Sequence, residues 1–247
     1  MKNFFTLLLL VTTTLSFAQE STFLRLNYNK GDKYLMQMDM KQNMGEGTMI
    51  MDMVIKMPIE VIDVSDDGVY NSEMSFKSIK MDMEQSGMKI NYDSNLKEED
   101  LDETAKMMST QMKPMLETVL STKTNVYGEV LEMKMLKGSG NVDQFTSQTE
   151  SVVYPKEAVN VGYSWIAEKD SNGMKIKSTY TVKSIDDKEV VVDVKGDISG
   201  SSTGSLTGVM NIDKVTGVPI ISNINMDFEI MGQKVVTEIV MEMKKVE

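Results

Sequence analysis

Apolar and polar residues alternate with period two over most of the chain, the signature of strands that bury one face. Tyr34, Met36, Met38 and Met40 fall on one side of such a strand, and Gln37, Asp39 and Lys41 on the other. Met49, Met51, Met53 and Ile55 form the next apolar row, and Gly45-Glu46-Gly47 supplies the turn between them. Met174, Ile176, Tyr180 and Val182 alternate further along, as do Val190, Val192 and Val194. Ile224, Met226, Phe228 and Ile230 lead into a turn at Met231-Gly232, from which Val235, Thr237, Ile239, Met241 and Met243 return as an antiparallel partner. The pattern predicts a mainly β protein of the α+β class, with about twelve strands in curved antiparallel sheets.

One stretch breaks the alternation. Leu101, Ala105, Met108, Met112, Met115 and Val119 recur at intervals of four and three, which is one face of a helix. Glu98, Glu99, Asp100, Asp102 and Glu103 precede or open it, where negative charge suits the dipole. A helical insertion is therefore expected near 98–121, kinked or divided at Pro114. A weaker helical piece is expected around 141–153.

The chain also repeats itself. "NKGDKYLMQ" from Asn29 resembles "NVGYSWIAE" from Asn160, setting Gly31 opposite Gly162 and Tyr34 opposite Trp165. "VIDVSDDGVY" from Val61 resembles "VKSIDDKEVV" from Val182, and "MKINYDS" from Met88 parallels "GVMNIDK" from Gly208. The expected organisation is a first β repeat over 19–137, a connector over 138–157 and a second β repeat over 158–247.

Composition narrows the function. Among 247 residues there is no cysteine and no histidine. Disulfides, thiol catalysis, Ser-His-Asp arrangements and most zinc sites are thereby excluded, and the expectation is a non-catalytic protein without cofactor or metal. Lys2, the apolar run Phe4–Val11 and the small residues at Ser16 and Ala18 read as a signal peptide over 1–18. Export to the periplasm or beyond is expected, and without a cysteine after the signal there is no lipid anchor. The formal charge of −11 argues against nucleic acid as a partner.

The chemistry left to weigh is thioether chemistry. There are 25 methionines, with Met-x-Met pairs at 36/38, 38/40, 49/51, 51/53, 81/83, 133/135 and 241/243. Strand spacing puts both sulfurs of a pair on one face. Cu(I) accepts thioethers, but no histidine or cysteine is there to assist. Plain core packing gives the same pattern, and a pliable apolar concavity is the third reading. Met36, Met38, Met40, Met49, Met51 and Met53 are the candidate ligand-binding residues, with Trp165 as a ring that either stacks on a ligand or fills the core. "GDISGSSTGSLTG" (Gly196 to Gly208) lacks a phosphate-loop ending and reads as a flexible connection. "DVSDDG" (Asp63 to Gly68) reads as an acidic turn.

"VYPKEAVNVGYSW" (Val153 to Trp165), with "LNYNKGDKY", "INYDS" and "NVYGEVLEM", resembles an uncharacterised family of secreted Bacteroidota proteins known only as a domain of unknown function. Gly162-Tyr163 departs from the glycine-aspartate usual before that tryptophan. The resemblance implies location and architecture and brings no activity. At the level of fold, curved sheets beside a helix resemble the half-barrels of periplasmic lipoprotein carriers. That likeness makes an apolar or lipid-like ligand the leading expectation, with a structural or partner-binding role as the alternative.

Overall fold

The computed structural model describes residues 21–139, 152–171 and 173–247. The expected signal peptide, most of the connector and most of the weaker helical piece lie outside the described residues. Within them, thirteen strands form one antiparallel sheet that is not closed into a barrel. A first meander comprises β2 (Lys33–Met44), β3 (Met49–Val64), β4 (Tyr70–Ser75), β7 (Val119–Thr124) and β8 (Val130–Lys137). A second comprises β10 (Ser164–Ser171), β11 (Met174–Ile185), β12 (Glu189–Gly200), β13 (Ser202–Asp213) and β14 (Pro219–Ile230). The strand β15 (Gln233–Val246) lies between β14 and β2 and splices the two meanders together. A short pair, β1 (Ser21–Thr22) with β9 (Val159–Asn160), stands apart.

The meanders share local geometry. Gly31 donates to the Val61 carbonyl and Gly162 to the Val182 carbonyl, both at 2.8 Å. Each is followed by a register shift at the same place, Val61/Asp63 and Val182/Ser184. The turns 125–128 and 213–217 close corresponding hairpins. That places β7, rather than the expected "MKINYDS" segment, opposite β13. The latter segment is β6 (Met88–Asp93), which belongs to an excursion absent from the second meander.

The excursion begins because β3 is long enough to serve two partners. Its first half, Met49–Lys56, pairs with β5 (Ser78–Gln85), and its second half, from Ile59, pairs with β4. β6 pairs with β5, and a 3-10 turn (Glu98–Asp100) leads to the helix α1 (Glu103–Leu116). Asp102 caps α1, its carboxylate accepting from the Ala105 N–H at 2.8 Å. Leu101 and Ala105 are buried, and Met108, Met112 and Met115 pack on the same core. Two sequence expectations change here. The helix is single rather than divided, with Pro114 inside its last turn, where the missing N–H removes one intrahelical bond. Val119 opens β7 rather than extending the helix.

The run Gly196 to Gly208 is not a flexible connection. It forms the end of β12 and the start of β13, joined at Gly200-Ser201. Its glycines mark close backbone approach. A Cβ on Gly204 would collide with the backbone of Asp227 and Phe228, and one on Gly208 with the Asn223 carbonyl. Gly196, Gly204 and Gly208 share the inner face with Leu206 and Ile198, and neighbouring backbone occupies the space their side chains would fill.

The open end of the curve is strapped by the segment Phe23–Tyr28. Leu26 donates to the Val126 carbonyl and Asn27 to the Thr216 carbonyl, each at 2.8 Å, so the strap lies between the two corresponding turns. Arg25, the sole arginine of the chain, donates to the carbonyls of Leu24 (2.6 Å), Pro155 (2.7 Å) and Lys156, and its guanidinium lies 4.3 Å from the Tyr127 ring centroid. Leu24, Leu26, Tyr154 and Val159 join Val182, Val190, Val192 and Ile212 in a core at this end.

Candidate functional site

Ladder register shows where the methionines face. One row of directly paired residues runs Trp165, Tyr180, Val194, Gly208, Ile224, Ile239, Met40, Met53, Met81 and Tyr92, from β10 to β6. The next runs Val182, Val192, Met210, Ser222, Met241, Met38, Ile55 and Ile79. Directly opposed residues point the same way in an antiparallel sheet, so these rows form one continuous, largely apolar face. The other face is polar: Glu168 opposes Lys177 with a 3.0 Å ion pair, and Lys234 reaches Asp227 at 3.0 Å. These pairs are exposed and add little stability.

The apolar face is the inside of the curve. Met210 on β13 and Met133 on β8 line a common cavity of about 240 Å³. In a flat sheet their strands would stand roughly 30 Å apart at the usual strand spacing. Tyr34, Met36, Met74, Met241 and Met243 form further walls, and Leu26, Tyr28 and Tyr154 come from the strapped end.

Of the sequence-predicted residues, Met36 alone lines this cavity. Met36, Met38 and Met53 are half-buried and pack against the core beneath α1. Met40, Met49 and Met51 are half-buried on the same inner face, beyond that core. Trp165 shares a row with Met40 but stands at the far edge of the sheet, stacked on Tyr180 with ring centroids 5.3 Å apart. Met241 and Met243 had a signal in the sequence, the same Met-x-Met spacing. Their place beside Met38 and Met36 depends on β15 pairing with β2, which no local pattern announces. Tyr28, Tyr154 and Met210 carried no signal that set them apart from other core positions.

Electrostatics around the cavity are quiet. Tyr70 donates to the Leu26 carbonyl at 2.7 Å and Tyr154 to the Gly217 carbonyl at 2.8 Å. Burial pushes the phenols of Tyr28 and Tyr154 upward, and burial with the neighbouring Asp32 carboxylate pushes Tyr34 up to about 12. Asp32 at the rim is pulled upward by burial, but the Lys245 ammonium at 2.6 Å, the Asn29 N–H at 3.0 Å and the Tyr34 hydroxyl outweigh it and hold the carboxyl below its usual range. Among the described residues, no group of three or more carboxylates converges to hold a metal ion. The thioethers alternate along these rows with isoleucine, valine and aromatic rings, as a continuous apolar surface requires. What the arrangement can do is surround an apolar group with mostly neutral, adaptable side chains, Glu242 being the one charged residue of the lining and paired with Lys244 at 2.6 Å.

Comparison with known proteins adds the following. The model of a family of unknown function (DUF6263) matches residues 133–237, from within β8 to within β15. This agrees with the resemblance to an uncharacterised family. No curated protein matches the chain. A solved structure on lipid–protein interactions in lipovitellin is similar over 90% of this chain, with a TM-score of 0.55 and 8% identity. The chain spans 26% of that lipovitellin chain. At this identity the likeness shows the fold alone. MucB in complex with MucA(peri) aligns over 86% of this chain and 89% of its own at 12% identity, with a TM-score of 0.13, too low to mean a shared fold.

Proposed function

We propose that this is an exported, non-catalytic protein that binds an apolar or lipid-like ligand inside its curved sheet. The observation that carries the reading is the cavity of about 240 Å³ walled largely by inner-face apolar side chains, among them Met36, Met74, Met133, Met210, Met241 and Met243. An apolar cavity of about 150 Å³ holds benzene, so this one takes a larger group. Methionine fits the role, because an unbranched thioether chain follows varied shapes where a β-branched residue dictates one. The lipovitellin work concerns lipid bound by that protein, and a curved sheet of similar fold is a scaffold on which such binding is feasible. The absence of histidine and cysteine supports a binding role over catalysis.

Native mass spectrometry of protein isolated gently from its own cell envelope tests the proposal. The expected result is a population carrying one apolar adduct, lost on organic extraction and restored by added lipid. Protein that is bare as isolated and takes up nothing overturns it.

A further inference from the structure

The inner cavity is not uniformly apolar. Ser222 on β14 interrupts an inner row, directly paired with Met210 on one side and Met241 on the other. It lines the cavity and is only 3% exposed. Its hydroxyl makes no hydrogen bond to the protein among the described residues. Among those residues, the Trp165 indole nitrogen is the one fully enclosed side-chain nitrogen or oxygen without a partner. The Ser222 hydroxyl, equally unpartnered, therefore keeps some free surface. In a side chain this buried, that surface opens on the cavity it lines.

The first meander adds to this. Ser72 on β4 opposes Thr122 on β7, and Thr124 follows two residues along on the same face. All three line the cavity, and none of their hydroxyls has a protein partner among the described residues. Hydroxyls left unpartnered in an enclosed space need water or a ligand atom. A pure hydrocarbon would strip them of water and return nothing. An ionic head would fare no better. Among the described residues no Lys or Arg lines the cavity, and Glu242 is already neutralised by Lys244. An ion brought between these walls would lose its hydration and meet no free counter-charge.

We infer that the cavity takes an alkyl chain carrying an uncharged oxygen, as in an aliphatic alcohol or ester, with that oxygen hydrogen-bonded to the Ser222 hydroxyl. The chain lies against methionine side chains such as Met36, Met74 and Met243. Volume bounds the part enclosed: scaled from the six carbons of benzene in about 150 Å³, it is about ten non-hydrogen atoms. The inference rests on the apolar-ligand reading above and adds the polar atom that the ligand carries and the side chain that meets it.

1-Octanol, octanoate and octylammonium share an eight-carbon chain, fit this volume and differ in the charge of the head. The full chain is titrated with each at neutral pH by calorimetry. 1-Octanol is expected to bind one to one, about tenfold or more tightly than either ion. Ser222→Ala is expected to weaken 1-octanol by about three- to tenfold, the size of one hydrogen bond. It is also expected to leave the urea midpoint of the empty protein in place, because the hydroxyl has no protein partner to lose. The wild-type comparison of heads needs no variant and stands even if Ser222→Ala folds poorly. Binding of either ion as tightly as 1-octanol overturns the uncharged head. Binding of 1-octanol that ignores Ser222→Ala, or a lowered urea midpoint, overturns the anchor. These results leave the apolar-ligand reading in place, whereas failure of all three to bind overturns that reading and this one with it.

Discussion

Replacing Gly204 by alanine adds one methyl group to the inner face where the β14 backbone approaches closely. The new Cβ meets the Asp227 carbonyl and the Phe228 backbone across β14. Neither is a side-chain tip that can swing away, so the strands must separate. Overpacking of this kind costs about 1–3 kcal/mol, and collision with backbone belongs at the upper end. Gly204 lies outside the left-handed φ region, so alanine also gains about 0.5–1 kcal/mol by restricting the unfolded chain. The net expectation is a loss of about 2 kcal/mol. For a domain of this size that corresponds to a fall of about 4–8 °C in melting temperature. Urea unfolding followed by circular dichroism measures the loss, with Ser205→Ala as the control, since the Ser205 side chain is exposed on the opposite face. The control should stay within about 0.5 kcal/mol of wild type. A Gly204→Ala protein as stable as the control would refute the idea that the missing side chain is required for the close approach of β14.

Other expectations follow from the strap, the tyrosines and the methionine rows. Arg25→Ala should lose about 2–3 kcal/mol in urea unfolding, because three charge-assisted bonds to carbonyls vanish together. Arg25→Lys should recover less than half of that, since one ammonium cannot copy the planar fork, and full recovery would reduce the role of Arg25 to its charge. Burial raises the phenols of Tyr28, Tyr34, Tyr70, Tyr154 and Tyr180. Above the ordinary value of about 10 the folded state then holds more protons than the unfolded one, so stability present below that pH is lost as pH rises beyond it. Absorbance of tyrosinate at 295 nm should rise for these residues only as the sheet signal collapses, and their titration near pH 10 in an intact fold would contradict the burial assigned to them. Changing the cavity-lining Met36, Met241 and Met243 together to isoleucine should leave stability within about 1 kcal/mol, since β propensity offsets repacking. It should also narrow the range of apolar ligands retained in native mass spectrometry, and an unchanged range would mean that methionine is not there for adaptability.

Period-two alternation made most of the sheet legible. The rows at Tyr34–Met40 and Met49–Ile55, the turn at Gly45–Gly47 and the hairpin through Met231-Gly232 stand in the structure where the pattern puts them. The body of α1 was legible from its apolar face and acidic start. Val119 was not, because an apolar residue following a helix at the right interval satisfies both periods. Gly196 to Gly208 misled because glycine and serine usually signal loops, whereas here they are strand residues chosen for backbone proximity. The candidate site was only half legible. Alternation put six methionines and Trp165 on strand faces, but which face turns inward depends on pairings such as Ile239 with Met40, and these join opposite ends of the chain.

That long-range splice has a consequence for how the molecule is made. A meander can form as its own strands leave the ribosome or translocon, because each contacts its predecessor. β2 is different: one of its edges has no neighbour until residues 233–246 arrive. Throughout synthesis the first meander therefore presents an unprotected edge beside a methionine-rich surface, the combination most prone to pairing with another chain. The closing strand acts as a late kinetic latch, and the time before it engages is when the nascent chain most needs a holding partner.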